Sequence, residues 1–174
     1  NSVAQAKSAI DELNKIPASE LNAPARWNSG KDLQYILTSL ILIKKPKVVV
    51  ETGTANGASA AAIALGIKLN SFGHAWSFDI SDINPVLIPK ELRSFITLVK
   101  TTGTRTELIN QISKIGNLDN AIFLHDSDHS YVGQNSDYNV AEKLGFDLIL
   151  SDDIDASMAF CDFAKNRGII YFDA

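Results

Sequence analysis

The sequence predicts an α/β protein, doubly wound, with a mostly parallel sheet and helices on both faces. Three observations lead there. Short β-branched runs alternate with segments of helical period, as successive strand-helix units require. The apolar runs within the strands are continuous, the pattern of strands covered on both faces. Five of these runs lead up to polar or acidic residues, so the chemistry of the chain gathers at the strand exits.

The elements follow in order. An N-terminal helix is expected from Ala4 to Lys15, then a loop from Pro17 to Lys31 with two prolines, two asparagines and Trp27. Residues 1–30 are thus a helix and loop leading into a core domain over 31–174. Leu33, Ile36, Leu37, Leu40 and Ile41 fall on one face of the next helix, which Asn28 or Ser29 caps and Pro46 stops. Strands are expected at Lys47–Thr52, Ala75–Ile80, Phe95–Lys100, Ala121–Asp126 and Phe146–Asp152, with a sixth at Ile169–Phe172. Between them lie helices at Gly57–Leu69, Thr104–Ile115, Ser130–Leu144 and Asp155–Lys165, the last N-capped by Asp155.

Composition narrows the function classes. The 174 residues are 45% hydrophobic and 21% charged, with 10 Gly and 5 Pro, which excludes disorder and collagen-like order. The net charge is −4 and the longest basic cluster is Lys44, Lys45 and Lys47, so no nucleic-acid partner is expected. The most apolar run, Tyr35–Ile43, is broken by Thr38 and Ser39 and falls short of the ~20 residues that span a bilayer, so no membrane partner is expected either. One cysteine, Cys161, and no leader-like start fit a reducing cytoplasm. A small molecule is the expected partner.

Ligands of open α/β sheets sit beyond the carboxyl ends of the strands. The first exit, Glu51-Thr52-Gly53-Thr54-Ala55-Asn56-Gly57, runs into a helix of small residues whose free N–H groups suit an anion. A phosphate-binding P-loop is excluded because Gly57 comes too early and no Lys-Ser/Thr follows. A dinucleotide turn is disfavoured because Ala55 stands where a second glycine lets the backbone meet a pyrophosphate. A plain tight turn is the bland alternative. The remaining pattern, acidic-x-Gly-x-x-x-Gly, resembles the first motif of class I S-adenosylmethionine (SAM)-dependent methyltransferases. That resemblance implies cofactor contacts at Glu51, Gly53, Thr54, Gly57 and Ser59. Asp79 ends the second strand, where a carboxylate can accept from both hydroxyls of a ribose. No role is assigned to the third exit, Thr101–Thr104.

The fourth exit, Phe123-Leu-His-Asp-Ser-Asp-His-Ser-Tyr131, is the most specific stretch. A metallo-hydrolase pattern would need histidines at Leu124 and Asp126, and neither is present. With Gly133, Asp137 and Phe146-Asp-Leu-Ile-Leu-Ser-Asp-Asp-Ile154 it closely resembles a methyltransferase subfamily with an Asp-Gly-Asp-His-Ser-Tyr-type fourth strand, which includes small-molecule O-methyltransferases. Ser127 departs from the usual glycine. The likeness runs from about Leu33 to Phe163. It implies a Rossmann-like sheet of order 3-2-1-4-5 plus a C-terminal strand, and adds Asp126, Asp128 and His129 to the cofactor site. It also implies a cation site for Mg²⁺ or another divalent ion at Asp126, Asp152 and Asp153, an all-oxygen set that suits a hard ion. His129 would be the catalytic base, with Asp126 as its catalytic partner, since a neutral imidazole can accept a proton near pH 7.

Bland readings stand beside these. Asp128 binds the N–H groups of the following turn, His129 is a packed loop residue, and Asp152 and Asp153 cap the last helix. His74 and His125 are read as structural, while Tyr131 and Trp27 either flank the adenine or the substrate or belong to the core. The expected function is SAM-dependent O-methylation of a small hydroxylated molecule. A SAM-binding protein without transferase activity is the first alternative, and a nicotinamide-dependent oxidoreductase the second. The class usually ends in an antiparallel hairpin, of which Gly168–Ala174 supplies only the first strand. The last strand is therefore expected beside the fifth, or next to a gap that another chain fills, as in a homodimer, or at the stump of a trimmed chain.

Overall fold

The computed structural model describes residues 1–15, 28–82, 85–165 and 167. Five parallel strands, β1 (Val48–Thr52), β2 (His74–Asp79), β3 (Ile96–Lys100), β4 (Ala121–His125) and β5 (Leu148–Ser151), form one sheet of order β3-β2-β1-β4-β5. This is the expected doubly wound order. Trp27, most of the expected 17–31 loop and the sixth strand at 169–172 lie outside the described residues.

Alternation along β1 divides the core, because successive side chains point to opposite faces. Val49 joins Ala75, Ile122 and Leu124 against α2 (Lys31–Lys44) and α3 (Ala58–Asn70). Val48 and Val50 join Phe78, Ala121 and Phe123 on the other face, with Leu108 and Ile112 of α4 (Arg105–Ser113) and Val140 and Ala141 of α5 (Tyr131–Leu144). Helices α2 and α3 pack against each other. Gly66 lies against Ile41, where an added Cβ would sit 2.9 Å from Ile41 Cγ2. Helix α1 (Ser2–Leu13) packs Ala6 and Ile10, both fully buried, toward α2, and Asn1 caps it.

Two caps differ from expectation. Gly30, in extended backbone and without a side-chain bond, precedes α2 in place of Asn28 or Ser29. Helix α6 runs only from Ala159 to Lys165, so Asp155 sits in a turn ahead of it and caps nothing. The Ser157 hydroxyl accepts from Ala159 N at 3.1 Å instead. Thr104 and Ser130 cap α4 and α5 through their hydroxyls, and a short 3₁₀ helix, Lys90–Phe95, precedes β3.

Because β1 lies between β2 and β4, successive connections leave it in opposite directions, and a crevice opens above its carboxyl end.

Candidate active site

The exits of β1, β2 and β4 enclose a cavity of about 1090 Å³, whose wall also takes in residues 28–30, 101–103 and 152–153. Its floor is the turn after β1. Gly53 holds φ at +93°, and a Cβ there would lie 1.9 Å from the Asp126 carbonyl oxygen, so β1 and β4 can approach this closely only with glycine. Gly57, at φ +92°, leads into α3. Ala55 between them also takes a left-handed φ, +45°, which an alanine adopts at a cost.

Asp79 holds this turn in place. Its Oδ2 accepts from Thr54 N (3.0 Å) and Ala55 N (2.9 Å), and its Oδ1 from Ser81 N (2.8 Å). A carboxylate offers about four acceptor positions. Three are taken by backbone, which leaves room for one ribose hydroxyl rather than the expected two.

Glu51 lies beneath the turn, 1% exposed, and not on the cavity wall. Its Oε2 accepts from Ser77 Oγ, which also meets Thr54 Oγ1 at 2.6 Å. Burial pushes its carboxyl up to about 7 and the nearby charge of Asp79 adds to this, against hydrogen bonds from Ser59 and Ser77. Among the described residues Glu51 Oε1 has no hydrogen-bond partner. Thr54 and Ser59 line the cavity, with Ser59 itself buried.

At the fourth exit the acids crowd together. Asp126 is pushed up to about 8, first by burial and then by the charges of Glu51, Asp152 and Asp153, while Ser29 Oγ, 3.4 Å from Oδ2, pulls the other way. Asp152 is raised too, mainly by burial. His129 stands between two of them: Nδ1 is 2.9 Å from Asp153 Oδ2, and Nε2 is 3.8 Å from Asp126 Oδ1, with no hydrogen bond of its own among the described residues. Asp128 lines the cavity, but its carboxylate accepts from Ser130 N and Oγ, both 3.0 Å, which lowers its pKa. Those bonds form the turn-binding arrangement expected on the bland reading.

These residues fit a hard divalent cation in chemistry and in their shortage of positive charge. They do not fit it in geometry, because among the described residues no three ligand side chains converge to hold a metal. Asp153 is engaged by His129 instead.

Sequence reasoning missed part of the wall. Asn28, Ser29 and Gly30 line the cavity. Asn28 Oδ1 accepts from Asn56 Nδ2 (2.8 Å), and the Ser29 carbonyl accepts from buried Gln34 (2.8 Å). Only their place just before a helix hinted at this. Asp137 was also undervalued. Its Oδ2 lies 2.8 Å from buried His125 Nδ1 and accepts from Thr52 Oγ1 (2.7 Å) and Ser127 Oγ (3.0 Å), tying β1, β4 and α5 together under the site. His125 is fully buried, and its Nε2 has no hydrogen-bond partner among the described residues. Tyr131 is not on the cavity wall; it is half-exposed, with its hydroxyl 3.3 Å from Asp162 Oδ2.

Comparison with solved structures places the fold. An O-methyltransferase from Bacillus cereus in complex with SAH is 22% identical, with a TM-score of 0.55 over 79% of this chain and 61% of that one. The TDP-rhamnose 3'-O-methyltransferase of calicheamicin biosynthesis is 16% identical, with a TM-score of 0.57 over 94% of this chain and 84% of that one. CmcI with Mg and SAM is 19% identical, with a TM-score of 0.50 over 78% and 59% of the two chains. The chain thus spans about three fifths of the length of most of these structures. No curated protein matches the sequence. No described helix is long and apolar enough to cross a membrane. The family model described as rhamnosyl O-methyltransferase/CmcI matches residues 24–142, well over half of the chain. The chain belongs to that family of class I SAM-dependent methyltransferases.

Proposed function

We propose that the protein transfers a methyl group from SAM to a hydroxyl of a small molecule. The observation that carries this reading is the setting of His129 in the cavity wall, with Nδ1 against Asp153 and a buried Nε2 beside Asp126 that has no hydrogen-bond partner among the described residues. Asp153 favours the tautomer protonated at Nδ1, which leaves Nε2 free to accept a proton. The acceptor O–H gives its proton to Nε2, the oxygen forms a bond to the methyl carbon, and the carbon–sulfur bond breaks to release S-adenosylhomocysteine (SAH). Positioning of oxygen and methyl in line supplies much of the rate.

The cofactor lies over the glycine turn in this reading. The free N–H groups at the N-terminus of α3 would take its carboxylate, and the remaining acceptor position of Asp79 would take one ribose hydroxyl. Gly53, Thr54, Gly57 and Ser59 shape that bed, Glu51 supports it from below, and Asp126, Asp128 and His129 close the reacting end. A divalent cation such as Mg²⁺, held by Asp126, Asp152 and Asp153, would lower the pKa of the acceptor hydroxyl. These side chains do not converge on a metal among the described residues, so no step above depends on it. The reading takes a small-molecule acceptor rather than nucleic acid, a cytoplasmic setting, and a homodimer as a possible assembly.

Incubation with isotopically labelled SAM and a panel of hydroxylated acceptors tests this reading. Methylated product is expected, and His129→Gln should reduce turnover by ~10²-fold or more while SAH still binds. No product from any acceptor, despite SAH binding, supports a cofactor-binding protein without transferase activity. Turnover abolished by chelation and restored by Mg²⁺ supports the cation, and turnover indifferent to both rejects it.

A further inference from the structure

Gln134, one turn into α5, is fully buried and does not line the cavity. Burying a side-chain amide is costly unless both of its ends find partners. Both do. Nε2 donates to the Asp153 carbonyl at 3.0 Å, and Oε1 accepts from Ser157 Oγ at 2.5 Å. Gln134 thus clamps the segment between β5 and α6 to the start of α5 at two points.

That segment carries Asp153, whose carboxylate meets His129 Nδ1 at 2.9 Å while 55% exposed. A contact this open to water does little by itself to hold either side chain. The orientation has to come from the backbone. Asp153 takes a left-handed φ of +47°, uncommon for a residue with a side chain. Its carbonyl accepts from Ala156 N at 3.0 Å as well as from Gln134. The Ala156 bond closes a turn within the segment, and the Gln134 bond ties that turn to α5. His129 is fixed to the same helix end, because the next residue, Ser130, is its N-cap. Both partners of the contact are therefore referred to one rigid element.

We propose that Gln134 is a positioning residue for methyl transfer, holding Asp153 against His129 Nδ1 so that Nε2 stays the ring nitrogen that accepts the proton. This rests on the methyl-transfer reading and adds to it a residue outside the cavity. Without the clamp the turn at Asp153 is released and its carboxylate swings into water. The neutral ring then exchanges between its two tautomers, and only the one protonated at Nδ1 leaves Nε2 able to accept.

Nitrogen-15 NMR of the histidine rings reads the tautomer without any acceptor. The chain has three histidines, and the His129 signals are those lost in His129→Gln. Spectra are taken at about pH 8.5, well above the ordinary imidazole value of ~6.5. The wild type is expected to carry its proton on Nδ1. Gln134→Met keeps the size and helix preference of the side chain and removes both bonds, while Ser157→Ala removes one. Each should move His129 toward a mixture of tautomers, Gln134→Met further. Val140→Ala, which opens a cavity on the core side of the same helix, should lower stability and leave the tautomer unchanged. With an acceptor found by the labelled-SAM screen, Gln134→Met should lower kcat by ~10-fold at a KM within about twofold. A His129 tautomer unchanged in both clamp variants overturns the proposal, as does an equal change in Val140→Ala. No methylated product from the wild type with any acceptor removes the methyl-transfer reading, and the proposal falls with it.

Discussion

Replacing Glu51 by glutamine isolates the consequence of burying a carboxyl under the cofactor turn. Glu51 is 1% exposed and its pKa is pushed from 4.5 up to about 7, burial being the largest cause. The folded protein therefore keeps a proton that the unfolded chain releases. For a raised acid, that contribution to stability is fully present below pH 4.5 and is lost as the pH rises toward 7. Each pKa unit is worth about 1.4 kcal/mol, so the wild type loses about 3 kcal/mol across the window. Glutamine has nearly the same shape and does not titrate. It can still accept from Ser77 and Ser59, so the variant should escape this loss. Urea unfolding followed by circular dichroism at about pH 5 and about pH 8 measures the effect. The stability of Glu51→Gln relative to wild type should rise by about 2–3 kcal/mol between these conditions. Other carboxylates titrate in both proteins and largely cancel in the difference. Parallel pH dependences would show that Glu51 is ionised in the fold, and the reasoning would be wrong.

Three other substitutions probe the same floor. Gly53→Ala puts a Cβ 1.9 Å from the Asp126 carbonyl oxygen at φ +93°, so it should destabilise by about 3 kcal/mol or more; a loss under about 1 kcal/mol in denaturant would refute the close approach of β1 and β4. Ala55→Gly relieves a left-handed alanine at φ +45° and should leave stability unchanged or raise it by up to about 1 kcal/mol, since unfolded-state entropy offsets part of the gain; a clear loss in the same assay would count against the strain. Asp79→Asn replaces one acceptor oxygen with a donor that faces backbone N–H groups, so both stability and SAH affinity should fall, by about 1–3 kcal/mol and about 10-fold. Lower affinity at unchanged stability, read by calorimetry and thermal unfolding, would mean that Asp79 touches the ribose but does not hold the turn.

The sheet was legible because continuous apolar strands such as Val48–Val50 and Ile122–Leu124 have no other use than a core covered on both faces. The glycine turn was legible for a similar reason, since Gly53 and Gly57 stand at left-handed positions beside close neighbours. Periodicity said less about helix starts. Asp155 has the chemistry of a cap, but the chain turns again after it and α6 begins at Ala159. Roles at the site were harder still. Asp79 reads the same in sequence whether its oxygens meet a ribose or three backbone N–H groups, and only the folded turn tells which. Ser29 lies 97 positions from Asp126, and Asp137 lies 85 from Thr52, so their contacts exist only through tertiary packing.

The central claim is a SAM-type cofactor bed on the turn after β1. Titration calorimetry with SAH, with NAD as the comparison ligand, tests it most directly. The account predicts one SAH per chain, binding weakened by Asp79→Asn, and no heat with NAD. Heat with NAD and none with SAH would contradict it.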